Sequence, residues 1–358
     1  MRILHVIHTP RFSGAEILVA TLTKVHKEMG HESCVVSFNP PEKNFESIIY
    51  QQQEDGIEWI SPSKPLHRLA RALFIRKSAV GFSPDVTFAH SVIPAAYARL
   101  AGIKTVVSVL HSETNYESGY VRFFEKFLQY RLKGVISVSD IARKKYTESF
   151  PFPRIRFIPN GVLIKDIKNS HGHRDALRVK LGFTKLDFVV IQVGRIDKIK
   201  QQHLSLEAII PLIKNNKLIN LLLVGLVEDK SYLNKLKDMV QHAGVERNVH
   251  FLGTRNDIAN LLCAADLFLM PSLREAQGIA MVEALVAGLP IVASQIPGFE
   301  FTREFDGVSL LNLDKLDNLG LKIMDVFNKR QRYTRDLDKF DIRETATAYI
   351  EFGKLCMS

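Results

Sequence analysis

Cysteine is scarce in this sequence, tryptophan occurs once, and long hydrophobic runs are missing altogether. The three cysteines, Cys34, Cys263 and Cys356, lie far apart, which argues against a disulfide framework and suits a reducing compartment. None stands at a zinc-ligand spacing with histidine, so no metal site is expected. No apolar stretch approaches the roughly 18–20 residues that a membrane span needs. The opening residues, MRILHVIHTP, hold an apolar run of strand length without a cleavage pattern, and no secretory leader is expected. There is no GxGxxG, which weakens a dinucleotide-binding reading.

What is present is globular: 358 residues, 46% hydrophobic and 24% charged, enough for two domains of ordinary size. The net charge is +10 and the isoelectric point about 9.4, which favours anionic partners. Phosphorylated ligands, an acidic membrane surface and nucleic acid all qualify by charge. No nucleic-acid-binding motif accompanies the charge, so nucleic acid is not an expected partner.

Strand-like apolar runs alternate with helical patterns along the chain. The first series is 2–7, 33–38, 86–90, 105–110, 134–139 and 154–159, with helical spacers such as 17–29 and 124–132. A charged, glycine-containing stretch at 161–186 interrupts it, with a short helical piece at 174–181. A second series follows at 188–193, 220–224, 249–252, 267–270 and 291–293, and residues 342–355 read as an amphipathic helix. Near-continuous Val/Ile/Leu/Phe runs are what strands buried on both faces require, so the chain reads as α/β, two doubly wound parallel-sheet halves. In such sheets ligands sit beyond the C-terminal ends of strands.

Four phrases stand at such ends. Ser13-Gly14-Ala15-Glu16 follows the first strand and opens a helix. A glycine there lets amides approach an anion, and an ordinary turn with a capping serine fits equally. In VGRIDKIK (193–200), Arg195 offers a planar fork for phosphate oxygens and Lys200 a mobile point charge, and a solvated basic loop is the alternative. REAQGIAMVEALVAGLP (274–290) places Glu275 before a helix starting near Gly278 and Glu283 inside it, on an otherwise apolar helix. A carboxylate in such surroundings is costly unless hydrogen-bonded; sugar hydroxyls or an internal salt bridge would satisfy it. His90 and His111 each end a strand and could donate to a phosphate or sugar oxygen, or serve the structure.

In this order the phrases resemble retaining glycosyltransferases of family 4 (group 1), with the GT-B fold of two Rossmann-like domains facing a cleft. SGAE (13–16), GHE (30–32), SPDVTFAHS (83–91), VSVLHS (107–112), ISVSD (136–140) and RFIPNGV (156–162) match in the first half. VGRIDKIK (193–200), LLLVG (221–225), VHFLG (249–253), EAQGIAMVE (275–283) and AGLPIVAS (287–294) match in the second. The sequence departs from the pattern at Ile164, Gln201, Ala276 and Gln277. The resemblance implies an acceptor-side domain over 1–162, rejoined by a terminal helix at about 341–358, and a donor domain over 163–340.

It further implies that Arg195 and Lys200 bind the diphosphate of a nucleotide sugar, UDP-glucose before other UDP-hexoses and GDP-mannose. Glu275 would hold the sugar, with Ala276, Gln277 and Gly278 beside it, and Glu283 the ribose. Leu252 and Gly253 would border the base and His111 the transferred sugar, while Ser13, Gly14, His90 and Asn160 would lie on the acceptor side, Gly14 also lining the donor phosphate. No metal or other cofactor is expected. The Asp336-Leu337-Asp338 triplet fits an Asp-X-Asp pattern but lies in a polar stretch with no strand before it. The implied enzyme retains anomeric configuration and acts on a glycan or lipid-linked saccharide, in the cytoplasm or on the inner membrane face. KPLHRLARALFIRK (64–77) and YVRFFEKFLQY (120–130) could lie on an anionic membrane. A GT-B epimerase or phosphorylase, or a sugar-binding protein, are the competing readings.

Overall fold

The structure is a computed structural model and describes residues 1–112, 118–152, 154–313 and 316–358. The chain divides into two compact units, Met1–Gly161 with Phe340–Ser358, and Val162–Lys339.

In the first unit the order is β1 (Arg2–Ile7), α1 (Gly14–Glu28), β2 (Glu32–Ser37), α2 (Glu46–Glu54), β3 (Glu58–Ile60), α3 (Arg68–Phe82), β4 (Val86–His90), α4 (Val92–Leu100), β5 (Val106–Leu110), α5 (Gly119–Leu128), β6 (Gly134–Ser137), α6 (Asp140–Ser149) and β7 (Ile155–Phe157). In the second it is α7 (Ile164–Ser170), α8 (Arg174–Lys180), β8 (Phe188–Val193), α9 (Gln202–Asn215), β9 (Ile219–Val224), α10 (Lys230–Ala243), β10 (Val249–Gly253), α11 (Ile258–Ala264), β11 (Leu267–Met270), α12 (Ile279–Val286), β12 (Ile291–Ser294), β13 (Val308–Leu311) and α13 (Leu316–Lys329). The terminal helix α14 (Ile342–Met357) belongs to the first unit.

Each unit is one parallel sheet, ordered β3-β2-β1-β4-β5-β6-β7 and β10-β9-β8-β11-β12-β13. The central strands are buried along their whole length, as in Val-Thr-Phe-Ala-His of β4 and Leu-Phe-Leu-Met of β11. That explains their continuous apolar runs: with helices on both faces, neither side of the strand meets water. Each such side chain gains roughly 1.5–3 kcal/mol by burial. β3 and β13 fall outside the sequence reading. Both are short edge strands, of three and four residues, and neither is buried along its length.

The strand orders reverse direction between β1 and β4 in one sheet and between β8 and β11 in the other. Such switch points open a crevice at the strands' C-terminal ends. Register sets Leu267 beside Val190 and Phe268 beside Ile191, so β8 and β11 end together and their following loops leave side by side.

α14 closes the first unit. Tyr349 packs on Phe88 with ring centroids 5.0 Å apart, and Thr345 donates a hydrogen bond to the Pro159 carbonyl at 3.1 Å. Gly134 and Gly161 admit it: a Cβ on Gly134 would lie 2.5 Å from Cys356 Sγ, and one on Gly161 2.7 Å from Ile342 Cα.

Candidate functional site

In the second unit, the loop after β8 is organised by Asp197. Its Oδ1 accepts the Ile199 and Lys200 amides at 2.9 and 3.0 Å, and its Oδ2 lies 3.4 Å from Arg195 Nη2. The sequence reading passed over this carboxylate, whose position between two basic residues is its only signal. Gln192 at the end of β8 donates to the Lys200 carbonyl at 2.7 Å and is itself held by Ser205 at 2.7 Å. Lys200 therefore enters the site from a fixed backbone.

Its ammonium forms an ion pair with Glu275, which comes from the loop after β11; the two side chains are 13% and 12% exposed. Ser272 donates to the same carboxylate oxygen at 3.2 Å. Two groups assigned to different parts of a ligand thus hold each other in the ligand-free protein. The pairing removes the penalty of leaving either charge alone in a mostly dry setting. Arg195 faces Asp197 and Glu228, at 3.4 and 3.5 Å, and stays partly exposed.

Three close backbone approaches shape this end of the sheet. A Cβ on Gly298 would stand 1.9 Å from the Glu275 carbonyl oxygen, so only glycine lets the segment after β12 pass behind the Glu275 loop. A Cβ on Gly225, after β9, would stand 2.1 Å from the Gly194 oxygen, and the Gly225 amide donates to the Gly253 carbonyl at 2.8 Å. Gly194, Gly225 and Gly253 thus line the strand ends, with Leu252 just inside β10. Gln201 takes φ +50°, a left-handed conformation that costs a non-glycine residue roughly 1–2 kcal/mol.

Gly278 precedes α12 with φ +76°, and Ala276 and Gln277 are buried. Met281, Val282, Ala284, Leu285 and Val286 turn inward, while Ile279 and Glu283 share the half-open face. Among the described residues the Glu283 carboxylate has no hydrogen-bond or ion-pair partner, which removes the internal salt bridge as its explanation. Burial pushes its pKa from 4.5 up to about 7. The folded pKa exceeds the unfolded one, so the group's stabilising contribution is full below pH 4.5 and lost as pH rises through 7. Glu283→Gln is expected to raise the melting temperature over wild type at pH 8 and much less at pH 5, read from thermal melts of the ligand-free proteins at both values.

In the first unit, Ser13 does not cap α1: its hydroxyl donates to the Glu16 carboxylate, and Gly14 is exposed at the helix start. Asn160 is buried next to Gly161. His90 is buried too, and is the middle member of a row. His5 Nδ1 lies 2.9 Å from His90 Nε2, and His90 Nδ1 lies 2.8 Å from His111 Nε2. His26 packs beside His5, ring centroids 5.5 Å apart. Burial holds all four well below the ordinary imidazole value, His26 and His111 at about 4, so the row is neutral near pH 7. His111 is the half-exposed end. His5 and His26 were missed; a histidine inside the apolar run of β1 was the available sign.

Asp336 and Asp338 form a local turn, the Asp338 amide donating to the Asp336 carboxylate at 3.3 Å, with Leu337 buried between them. The described residues contain no group of three or more His, Cys, Asp or Glu side chains gathered as a metal site.

The family model for "Glycosyl transferases group 1" matches residues 173–303, and that for "Glycosyltransferase Family 4" matches residues 12–165. The chain is 30% identical over 267 residues to the UDP-Gal:alpha-D-GlcNAc-diphosphoundecaprenol alpha-1,3-galactosyltransferase of Escherichia coli, spanning 67% of this chain and 66% of that protein. It is 32% identical over 167 residues to the lipopolysaccharide glucosyltransferase WaaG of Escherichia coli (strain K12), spanning 45% of this chain and 42% of that one. The crystal structure of Anabaena HepE in complex with UDP and glucose superposes with a TM-score of 0.76 over 99% of this chain and 97% of that one, at 22% identity. The last of these is a likeness of fold.

Proposed function

We propose, from the premise that the chain belongs to the group 1 glycosyltransferases of family 4 and has their GT-B fold, that it moves a hexose from a nucleotide sugar to a lipid-linked saccharide with retention and without a metal. The observation that carries this reading is the Lys200–Glu275 pair, mounted beside Arg195 on the loops of one switch point. Cleaving an anomeric bond leaves negative charge on a nucleoside diphosphate, and fixed cations there stabilise it as it develops. Arg195 and Lys200 supply two such cations. When the diphosphate draws the ammonium, Glu275 is freed to accept sugar hydroxyls, so binding exchanges one satisfied arrangement for another.

Glu283 accepts ribose hydroxyls, whose donation favours its ionised form. Retention follows from attack on the face that the diphosphate leaves, since no protein nucleophile is assigned. UDP-glucose is the first donor to try, supported by family habit and by the UDP and glucose named for the HepE structure. The lipid-linked acceptor follows the diphosphoundecaprenol named for the galactosyltransferase relative.

The test is UDP or GDP release from a nucleotide-sugar panel, with and without a short-chain diphosphoprenyl saccharide, with and without chelator. Acceptor-dependent release that survives chelation, giving an α-linked product by NMR, is expected. Release without acceptor would favour an epimerase-like or hydrolytic enzyme, and activity restored only by magnesium or manganese would overturn metal independence.

A membrane-facing surface accompanies this reading. The 64–77 stretch does not act as one basic stripe: Phe74 packs on the core, and Arg71 stacks on Phe38 and Tyr97 at 5.0 and 5.5 Å. Leu69 and Leu73 stand outward, and Arg68 reaches Tyr120 of α5, 5.7 Å from its ring centroid. α5 presents Tyr120, Phe123 and Phe127 outward beside Arg122 and Lys126, with Tyr130 just beyond. Its inner face is pinned by the buried Arg99–Glu125 ion pair and by Tyr146, which donates to Glu125 at 2.6 Å. An exposed aromatic row rimmed by cations suits an anionic bilayer. Vesicles with anionic lipid are expected to float with the wild-type protein and not with Phe123→Ser/Phe127→Ser; equal flotation would remove the surface from the proposal.

A further inference from the structure

We propose that His90 and His5 are positioning residues that fix His111 in one tautomer, presenting its Nδ1–H outward as a hydrogen-bond donor. The proposal deepens the transferase reading and rests on it for what the donor serves. The geometry begins with the two imidazole–imidazole contacts at 2.9 and 2.8 Å. A neutral imidazole has one N–H and one lone pair, so each contact needs one ring of each kind. Three rings in series therefore all point their protons the same way.

Two arrangements satisfy the contacts. In one, His111 donates from Nε2 to His90, which donates from Nε2 to His5, leaving a His5 Nε2–H buried. In the other, His5 donates from Nδ1, His90 donates from Nδ1, and His111 carries its proton on the outward Nδ1. His5 Nε2 is fully buried and has no hydrogen-bond partner among the described residues. The first arrangement strands an N–H there, the second only a lone pair, and orphaned buried N–H groups are the rarer outcome. The rings lie nearly parallel, 20° and 15° between planes, joined edge to edge through their nitrogens, and His26 packs beside His5, so turning any ring breaks a contact along the row.

The consequence is chemical. With its Nε2 lone pair occupied by His90, His111 donates to an oxygen of the bound ligand and takes no proton from the acceptor. The row is assembled from β1, β4 and the residue after β5, the strands flanking the first sheet's switch point.

The test is the tautomer itself. Imidazole 15N–1H spectra of the full ligand-free chain near neutral pH, with His111→Phe identifying the signals, should show His111 protonated at Nδ1 and bare at Nε2. His90→Phe fills a similar volume but removes the bond, and should leave His111 in both tautomers. His90→Asn places an amide N–H where Nδ1 was, and should restore the single form. On the turnover assay, His90→Phe should lower kcat by about tenfold, the weight of one oriented hydrogen bond, with little change in donor KM, and His90→Asn should recover most of it. Protonation at Nε2 in the wild type overturns the proposal. So does equal kcat in the Phe and Asn variants. If the wild type turns over no nucleotide sugar, the transferase reading fails and the spectra alone decide the tautomer.

Discussion

Lys200→Ala is expected to lose about 10²–10³-fold in kcat and to melt lower than wild type. The two losses have different causes. The first is the cation aimed at the leaving diphosphate; removing one preorganised group of this kind costs on the order of 3–4 kcal/mol of transition-state stabilisation. The second is Glu275, left 12% exposed with Ser272 as its remaining partner. Breaking a buried pair from one side costs about 3–5 kcal/mol, because the other charge is stranded.

A double variant separates them. Lys200→Met/Glu275→Gln has no stranded charge and should recover most of the melting temperature while remaining inactive. Thermal melts and single-turnover rates on the three proteins decide the matter. A Lys200→Ala protein with wild-type turnover would remove the leaving-group role. A double variant as unstable as the single would mean that the pair does not act as a unit.

Gly298→Ala is expected to fold and to lose about 100-fold in kcat/KM for the nucleotide sugar, the scale of a 1 Å misplacement. A methyl group there would stand 1.9 Å from the Glu275 carbonyl oxygen and 3.1 Å from that of Ala276. Both neighbours are backbone, so the collision is relieved only by a backbone shift at this close approach of the Gly298 segment and the Glu275 loop, which carries the carboxylate. Gly172, whose added Cβ meets nothing within 4 Å, is the control: Gly172→Ala should match wild type in steady-state kinetics. Equal kinetics for the two variants would show that the loop tolerates displacement.

The parallel sheets were legible because their central strands answer to a single requirement, burial on both faces, which writes itself as a local run. β4, β8 and β11 fall where their runs do. Edge strands answer to a weaker requirement: β3 and β13 went unread, while β7 and β10, also at sheet edges, were read. The site divides along the same line. Glu275 and Glu283 could be picked out because each is a carboxylate at or inside an apolar helix, and Arg195 and Lys200 because their basic loop stands at a strand end. That Lys200 meets Glu275 could not, because 75 residues separate them and the pairing depends on which strands are neighbours. Gly298 reads locally as a turn glycine, and its constraint comes from backbone more than twenty residues upstream. His90 and His111 were each visible as strand ends; the row they form with His5 exists only once β1, β4 and β5 lie side by side.

The return of α14 to the first unit has a consequence in time. Residues 1–161 are made before 162–339 but lack the helix that covers Phe88 and meets Gly134, which arrives only with residues 342–357. Residues 162–339 are contiguous and wait for nothing. At synthesis rates of roughly 5–20 residues per second, the earlier half stays without its closing helix for about 10–40 s. The order of completion is thus the reverse of the order of synthesis. During that interval the face of β4 and β6 that α14 later covers is open to chaperones or to another nascent chain.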